Sequence, residues 1–307
     1  MLDSFLMDCS LRGRTKRTIE TYKSNVGEFL QHYPEPHIIN KHDLRDFLKH
    51  LQDRGLKNST LKSYFSALSS FYDYLIYEEV AETNPILPFR KRFLDKPTKH
   101  DRRQLITIQD MQDLLRSVDN IRERTMLCVL AKHGARHDEY FRLTPEDIDL
   151  IRDTITYPDK AKRHNRILPI DPELHELLEQ YLKWRSSRVR VECPWLWISD
   201  RGGRVHKDYT NAVISHYARA LGLHQPNGPL EKRLTCHCFR KWYTHHLCAA
   251  GMDGTMIKIL RGDSLSRDAW SSNYLEPDEL TEEVRQEYLK RIPQLIEAYN
   301  LKSGKSI

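Results

Sequence analysis

The residue types best able to do chemistry crowd into LTCHCFRKWYTHHLCAAG, residues 234 to 251, where three cysteines, three histidines and an arginine share eighteen positions. Two kinds of ligand suit such a set, a metal ion or a phosphate. Metal ligation fits poorly: Cys236-x-Cys238 is not the C-x2-C spacing of a zinc knuckle, and no second matching pair follows. Adjacent histidines such as His245 and His246 face different sides of a helix. Phosphate fits better. His237 and Arg240 are three apart and share one face of a helix beginning near 237, with Lys241 beside them. A planar guanidinium offers paired donors to two oxygens of one phosphate, and an imidazole adds a further donor or a base.

Two more residues join this set. Arg136 follows Gly134-Ala135 at the end of an apolar helix, a junction at which backbone turns present the side chain; the blander alternative is a surface arginine or a partner of Glu139. Tyr274 sits at the end of a short helical pattern in LRGDSLSRDAWSSNYLEPDEL, residues 260 to 280. Downstream of two arginines, a histidine and a lysine, its phenol is a candidate nucleophile toward a phosphodiester, although a tyrosine in such a place more commonly packs in a core.

The elements that must position these residues follow from patterning. At 307 residues the chain exceeds the size at which a single core is the default, so two domains are expected. Hydrophobic residues at 39% and charged residues at 30% describe a globular chain rather than a disordered one. The formal charge of +6 favours a polyanionic partner, and only modestly, given 49 Lys and Arg in all. The N-terminus lacks an apolar targeting core and no run of 18 or more apolar residues follows, so no membrane association and a cytoplasmic location are expected. Cysteines 9, 128, 193, 236, 238 and 248 fall in apolar or helical segments, which predicts reduced thiols.

Ile19, Tyr22, Val26, Phe29 and Leu30 make one helical stripe and Leu44, Phe47, Leu48 and Leu51 another. After a start that Asn58 or Ser59 can cap, Leu61, Tyr64, Leu68, Phe71 and Leu75 recur at three and four. Residues 1–88 therefore read as a helical domain. Residues 89–103, FRKRFLDKPTKHDRR, read as a basic linker in which Arg90, Lys91, Arg92, Lys96, Lys99, Arg102 and Arg103 could track phosphates, or simply remain solvated. Residues 104–307 form the second domain: a helix started by Thr107, another over about 121 to 133, and a further one begun by Thr144-Pro145. A β-hairpin with a basic tip spans 153 to 170, and helical periodicity returns after Asp171-Pro172 and at about 207 to 221, 238 to 250, 254 to 261, 266 to 275 and 280 to 291.

Through these residues the chain resembles the tyrosine recombinase (phage integrase) superfamily over both halves, most of all its archaeal and Xer-like branch. The first half carries TKRTIETYKSNVGEFL and GLKNSTLKSYFSALSSFYDYLIYEEVAETNP; the second carries HGARHDEYFRL, RILPI, HCFR and NYL in the family's order. The resemblance implies a mainly α fold with a small β-sheet, a C-shaped two-domain clamp around duplex DNA with a SAM-like core-binding domain, and site-specific strand exchange as a tetramer on DNA, monomeric when free. It implies that Arg136 and Arg240 clamp the scissile phosphate, that His237 moves a proton or orients the phosphate, and that Glu139 organises Arg136. Tyr274 would form a 3'-phosphotyrosyl bond, with no metal and no cofactor. A hairpin lysine, Lys160 or else Lys162, would protonate the leaving 5'-oxygen.

The sequence also departs from the family. Asp263 stands in the LRGD box where a histidine or tryptophan is usual, eleven residues before Tyr274, a longer interval than the family's. An ionised carboxylate cannot donate a hydrogen bond. Asp263 then orients a neighbouring donor, or Trp270 or Lys241 takes over that role. Three rival readings follow: a noncatalytic DNA-binding clamp, a relaxing type IB-like topoisomerase, and a zinc protein built on Cys236, Cys238, His245 and Cys248. The C-terminal stripe of Val284, Tyr288, Ile292 and Leu295 would dock on a neighbouring protomer or pack in cis, kinked at Pro293, with Tyr288 and Tyr299 in packing roles.

Overall fold

The computed structural model describes residues 1–94, 103–157, 166–190, 193–263 and 281–296. It is mainly helical with one small sheet, and the chain divides into two compact units, Met1–His100 and Asp101–Ile307. No helix among the described residues is long and apolar enough to cross a membrane.

The first unit is helical throughout: α1 (Leu2–Leu11), α2 (Lys16–His32), α3 (Lys41–Asp53), α4 (Asn58–Tyr77) and α5 (Ile86–Phe93). The stripes read from the sequence supply its core, with Val26, Phe29, Leu44, Phe47, Leu51, Leu68 and Phe71 all essentially inaccessible. Three segments fold differently from the expectation set by their sequence. The segment expected to open the linker instead continues the core, because α5 packs on α4 and buries Phe89. Arg90, Lys91 and Arg92 thus lie on a helix, whereas Lys96, Lys99 and Arg102 fall outside the described residues. Lys57 takes the N-cap position of α4, which places Asn58 and Ser59 in its first turn. In the second unit, Thr144-Pro145 begins a single 3-10 turn rather than a helix: Thr144 and Asp147 cap one another, and Ile148 leaves at once to pair with Ile155 in the sheet.

The second unit is built around α7 (Ile121–His133), whose residues from Thr125 to His133 are all buried, as befits a helix surrounded on every side. Around it pack α6 (Ile108–Arg116), α9 (Pro172–Ser186), α10 (Tyr209–Ala220) and α11 (Cys236–Ala249). The short α8 (His137–Tyr140), the antiparallel sheet β1 (Ile148–Asp149), β2 (Thr154–Tyr157) and β3 (Arg166–Pro169), and α12 (Gly254–Arg261) lie around its C-terminal end. His133 pins that end to the hairpin, bonding Tyr157 Oη at 2.9 Å and Pro169 O at 3.0 Å. Complete burial drives its pKa down to about 3, so the ring is neutral at physiological pH.

The C-terminal stripe packs in cis. α13 (Glu282–Arg291) buries Val284 and Tyr288, and Tyr288 Oη donates to Lys132 O at 2.8 Å. The wholly buried Lys132 amine meets Asp171 at 2.5 Å, Glu173, and Pro293 O at 2.9 Å, while Glu173 also accepts the backbone N–H of Leu295 at 3.1 Å. A buried ammonium needs this many oxygens to offset its lost hydration. The helix ends at Arg291, before Pro293, instead of bending there, since a residue preceding proline disfavours the helical conformation. Tyr299 and the helical pattern at 266 to 275 lie outside the described residues.

Gly134 ends α7 in the left-handed region at φ +53°, and a Cβ there would lie 2.6 Å from Cδ1 of the buried Tyr243 ring. Gly134→Ala is therefore expected to lose about 1–2 kcal/mol to backbone strain and about 1–3 kcal/mol to overpacking, read as a lower chemical-denaturation midpoint of the second unit.

Candidate active site

Arg136 is set by its own turn. It is the N-cap of α8, and Glu139, three residues on, accepts from the Arg136 backbone N–H at 3.2 Å with one oxygen and from Nη1 at 2.9 Å with the other. One carboxylate thereby fixes both the main chain and the side chain of the arginine.

Arg240 approaches from α11. The spacing H-x-x-R does what the sequence requires of it: His237 lies in the first turn, Arg240 one turn later, and Lys241 donates to the Arg103 carbonyl. The Arg240 side chain is only 11% exposed, and Nη1 donates to Gly134 O at 2.9 Å.

The two guanidinium groups, 104 positions apart in the chain, converge on two oxygens that they share. On the Arg261 carbonyl, Arg136 Nη1 donates at 3.2 Å and Arg240 Nη2 at 2.9 Å. On Asp263 Oδ1, Arg136 Nη2 donates at 2.6 Å and Arg240 Nη2 at 3.0 Å. Asp263 Oδ2 faces Arg261 Nε at 3.1 Å. While Trp270, one of the alternatives the sequence left open, lies outside the described residues, Asp263 accepts from both arginines. Gly262, at φ +59°, supplies the left-handed cap of α12 that turns Asp263 toward them.

Electrostatics match the geometry. Burial, then the neighbouring charges of Arg136 and Arg261, bring Arg240 down to about 10, with Asp263 acting in the opposite direction, so it remains charged at neutral pH. His237 is held below its ordinary value by partial desolvation and by Arg103, His137 and Arg240. Its neutral form is therefore favoured, which leaves one ring nitrogen an acceptor and the other a donor.

Sequence reasoning missed two members of this cluster, Arg261, whose carbonyl accepts from both arginines, and Arg166. Arg166, the first residue of β3, has a side chain 6% exposed, with Nη2 3.3 Å from Glu139 Oε2 and its guanidinium 4.7 Å from the centre of the Tyr157 ring. Its only sequence signal was position, directly after the lysine-bearing hairpin tip.

Of the remaining candidates, Lys160, Lys162, Trp270 and Tyr274 lie outside the described residues. Arg103 is exposed in the second unit. The set Cys236, Cys238, His245 and Cys248 is not drawn to ligand distance. Among the described residues the one group of His, Cys, Asp or Glu whose donor atoms all lie within 4.8 Å of one another is Glu28, His32 and His50, in the first unit. Glu28 there is already engaged by Arg54 and Tyr64. All six cysteines are free thiols.

The profile of the phage integrase N-terminal SAM-like domain matches residues 1–82, and that of the phage integrase family matches residues 100–266. The tyrosine recombinase XerC of Herpetosiphon aurantiacus is 28% identical over 279 residues, covering 85% of this chain and 86% of its own. The tyrosine recombinase XerA of Thermococcus kodakarensis is 27% identical over 271 residues, covering 86% of each chain. Among solved structures, the Tn1549 transposon integrase in complex with a circular intermediate DNA has a TM-score of 0.70 at 15% identity, covering 94% of this chain and 98% of that one. A lambda integrase dimer bound to a core site has a TM-score of 0.67 at 17% identity, covering 92% and 97%. These likenesses bear out the mainly helical, two-part fold.

The lowered His237 pKa has a direct test. In the free protein its imidazole is expected to titrate with a midpoint below the unperturbed value of about 6.5, followed by NMR of the ring protons. In Arg103→Ala the midpoint should move upward, because one of the cations that disfavour protonation is gone.

Proposed function

The chain belongs to the phage integrase family, and from that premise we propose that it cuts and rejoins duplex DNA at a specific site through a 3'-phosphotyrosyl intermediate on Tyr274. The observation that carries this reading is the convergence of Arg136 and Arg240 on shared oxygens. The N–H groups of both arginines that Asp263 Oδ1 engages suit the nonbridging oxygens of a phosphodiester. They suit still better the extra negative charge of the pentavalent transition state.

In this mechanism the Tyr274 phenol, with an unperturbed pKa near 10, gives up its proton as its oxygen attacks phosphorus. The bond to the 5'-oxygen breaks, and that oxygen takes a proton. His237 relays the phenolic proton or orients the phosphate; burial and the cations around it favour its neutral form. Lys160, or else Lys162, at the hairpin tip supplies the proton to the leaving oxygen. Glu139 keeps Arg136 in register throughout. In the second half-reaction a free 5'-hydroxyl attacks the phosphotyrosyl ester, the phenol departs with a proton, and the backbone is resealed. The ester conserves the energy of the broken bond, so no nucleotide cofactor is required.

Exchange of both strands of two duplexes takes four cleavages, one for each tyrosine, which supports a tetramer on DNA. The basic residues Arg90, Lys91, Arg92, Lys96, Lys99, Arg102 and Arg103 are assigned to phosphate contacts, which makes binding salt-sensitive.

The test lets the protein select its own target. The protein is incubated with fragmented DNA from the genome that encodes it and denatured, and DNA covalently attached through a 3' end is sequenced. Adducts at one recurring sequence, absent with Tyr274→Phe, are the expected result. Tight binding without any adduct would leave a noncatalytic clamp, and adducts scattered without sequence preference, together with relaxation of any supercoiled plasmid, would indicate a topoisomerase.

A further inference from the structure

Arg166 presents a physical problem that the proposed mechanism does not solve. Its guanidinium is nearly inaccessible, yet none of Nε, Nη1 and Nη2 has a hydrogen-bond partner of good geometry. Burying a guanidinium with unsatisfied N–H groups is costly, and an apolar side chain of similar volume would pack there without that cost. What the charge gains is found in three contacts. Nη2 faces Glu139 Oε2 at 3.3 Å, the same oxygen that accepts from the Arg136 backbone. The guanidinium lies 4.7 Å from the Tyr157 ring centre, on the strand leading into the hairpin tip. Against it sits Gly262, where an added Cβ would be 3.2 Å from Arg166 Cδ and 3.4 Å from Nη1.

Arg166 therefore stands where three segments meet: the turn that carries Arg136, the hairpin that carries Lys160 and Lys162, and the Gly262-Asp263 turn from which the chain runs on to Tyr274. We infer that Arg166 is a positioning residue, which holds the Glu139 carboxylate and supports the Gly262-Asp263 turn, and so aims the guanidinium of Arg136. It does not itself touch the phosphate, since all three of its side-chain nitrogens are buried. Glu139 then works as a two-sided strut, with Arg136 on one side and Arg166 on the other. Without the second cation the carboxylate loses the charge that faces its Oε2, the oxygen that accepts from the Arg136 backbone, and the aim of Arg136 at the two acceptors shared with Arg240 is less sharply set.

This inference rests on the reading of Arg136 as a phosphate clamp, so its test has one arm without DNA and one with it. In the first, the protein is labelled with 15N-arginine and the Arg136 Nε–H signal is followed. A sharp signal is expected in the wild type, a broadened one in Arg166→Met, and recovery in Arg166→Lys, which restores a cation beside Glu139. An unchanged Arg136 signal in Arg166→Met overturns the inference whatever the protein does to DNA. In the second arm, single-turnover cleavage is measured on the sequence recovered by covalent capture. Arg166→Met should cleave about 100-fold more slowly, the scale on which small misplacements act, with Arg166→Lys in between. On a methylphosphonate at the scissile position, which removes one nonbridging negative charge, the loss should shrink to less than about threefold, because the guanidinium has less charge to stabilise. An equal loss on both substrates, or no loss on either, overturns the inference. Absence of any wild-type adduct would instead count against the recombinase reading, and the first arm would still decide the role of Arg166.

Discussion

Two guanidinium groups that both lie within 3.0 Å of one carboxylate oxygen repel each other, and the rest of the second unit is arranged to hold them there. Like charges about 4 Å apart repel by about 1 kcal/mol in water and about 4 kcal/mol at the effective dielectric of a protein surface. Burial sharpens the problem, as the lowered pKa of Arg240 records. The solution is a set of oxygens distributed around both cations: the carbonyls of Gly134 and Arg261 and the carboxylates of Glu139 and Asp263. Two of these are backbone groups at the left-handed ends of helices, Gly134 itself closing α7 and Arg261 preceding the Gly262 cap of α12. Unpaired C-terminal carbonyls are natural partners for cations.

The scaffold is rigid where the oxygens must not move. α7 is buried over its last nine residues, and its terminal His133 is tied to both strands of the hairpin by a neutral ring that no nearby anion recharges. One residue earlier, Lys132 gathers Asp171, Glu173 and the Pro293 carbonyl, so the same helix end also anchors the chain after α13. The two successive polar residues diverge by about 100°, so that His133 bonds the hairpin and Lys132 bonds Asp171, Glu173 and the Pro293 carbonyl. At the end of a helix whose buried run from Met126 to Ala131 is apolar, each is tolerated because its polar atoms are satisfied.

Much of this was legible in the sequence, and what was not follows a pattern. Local spacings carried over well: H-x-x-R put His237 and Arg240 on α11, and the alternation around residues 153 to 170 gave β2 and β3. The glycine after the apolar helix ends α7 as expected, and Arg136, just beyond it, pairs with Glu139, the alternative the sequence also offered. Readings failed where a local signal had two outcomes that only packing separates. The run FRKRF is basic enough to be a linker, yet Phe89 finds a place against α4 and carries the charged residues into a helix. Thr144 caps a turn as readily as a helix, and the pairing of Ile148 with Ile155 decided it. The place of Arg166 and the identity of the donors that Asp263 meets were illegible for a stronger reason. Each depends on residues far away in the chain, Arg166 on Glu139 and Asp263 on Arg136, and no periodicity encodes that meeting.

The aspartate that looked like a defect in the family's pattern is consistent with the chemistry once charge is considered. Arg136, Arg166, Arg240 and Arg261 bring four positive charges to the cluster, and Glu139 and Asp263 bring two negative ones. A donor at position 263 would have added to the repulsion between the arginines; an acceptor relieves it and keeps both groups aimed at one point before DNA arrives. On the proposed reading, a phosphodiester entering this cradle presents oxygens of the same kind and one negative charge, so it can take over the donors that Asp263 occupies at little net electrostatic gain. The second negative charge that develops during attack has no counterpart in the carboxylate. The surplus of positive charge is thus met only in the transition state, which is the condition for binding energy to appear as rate rather than as affinity.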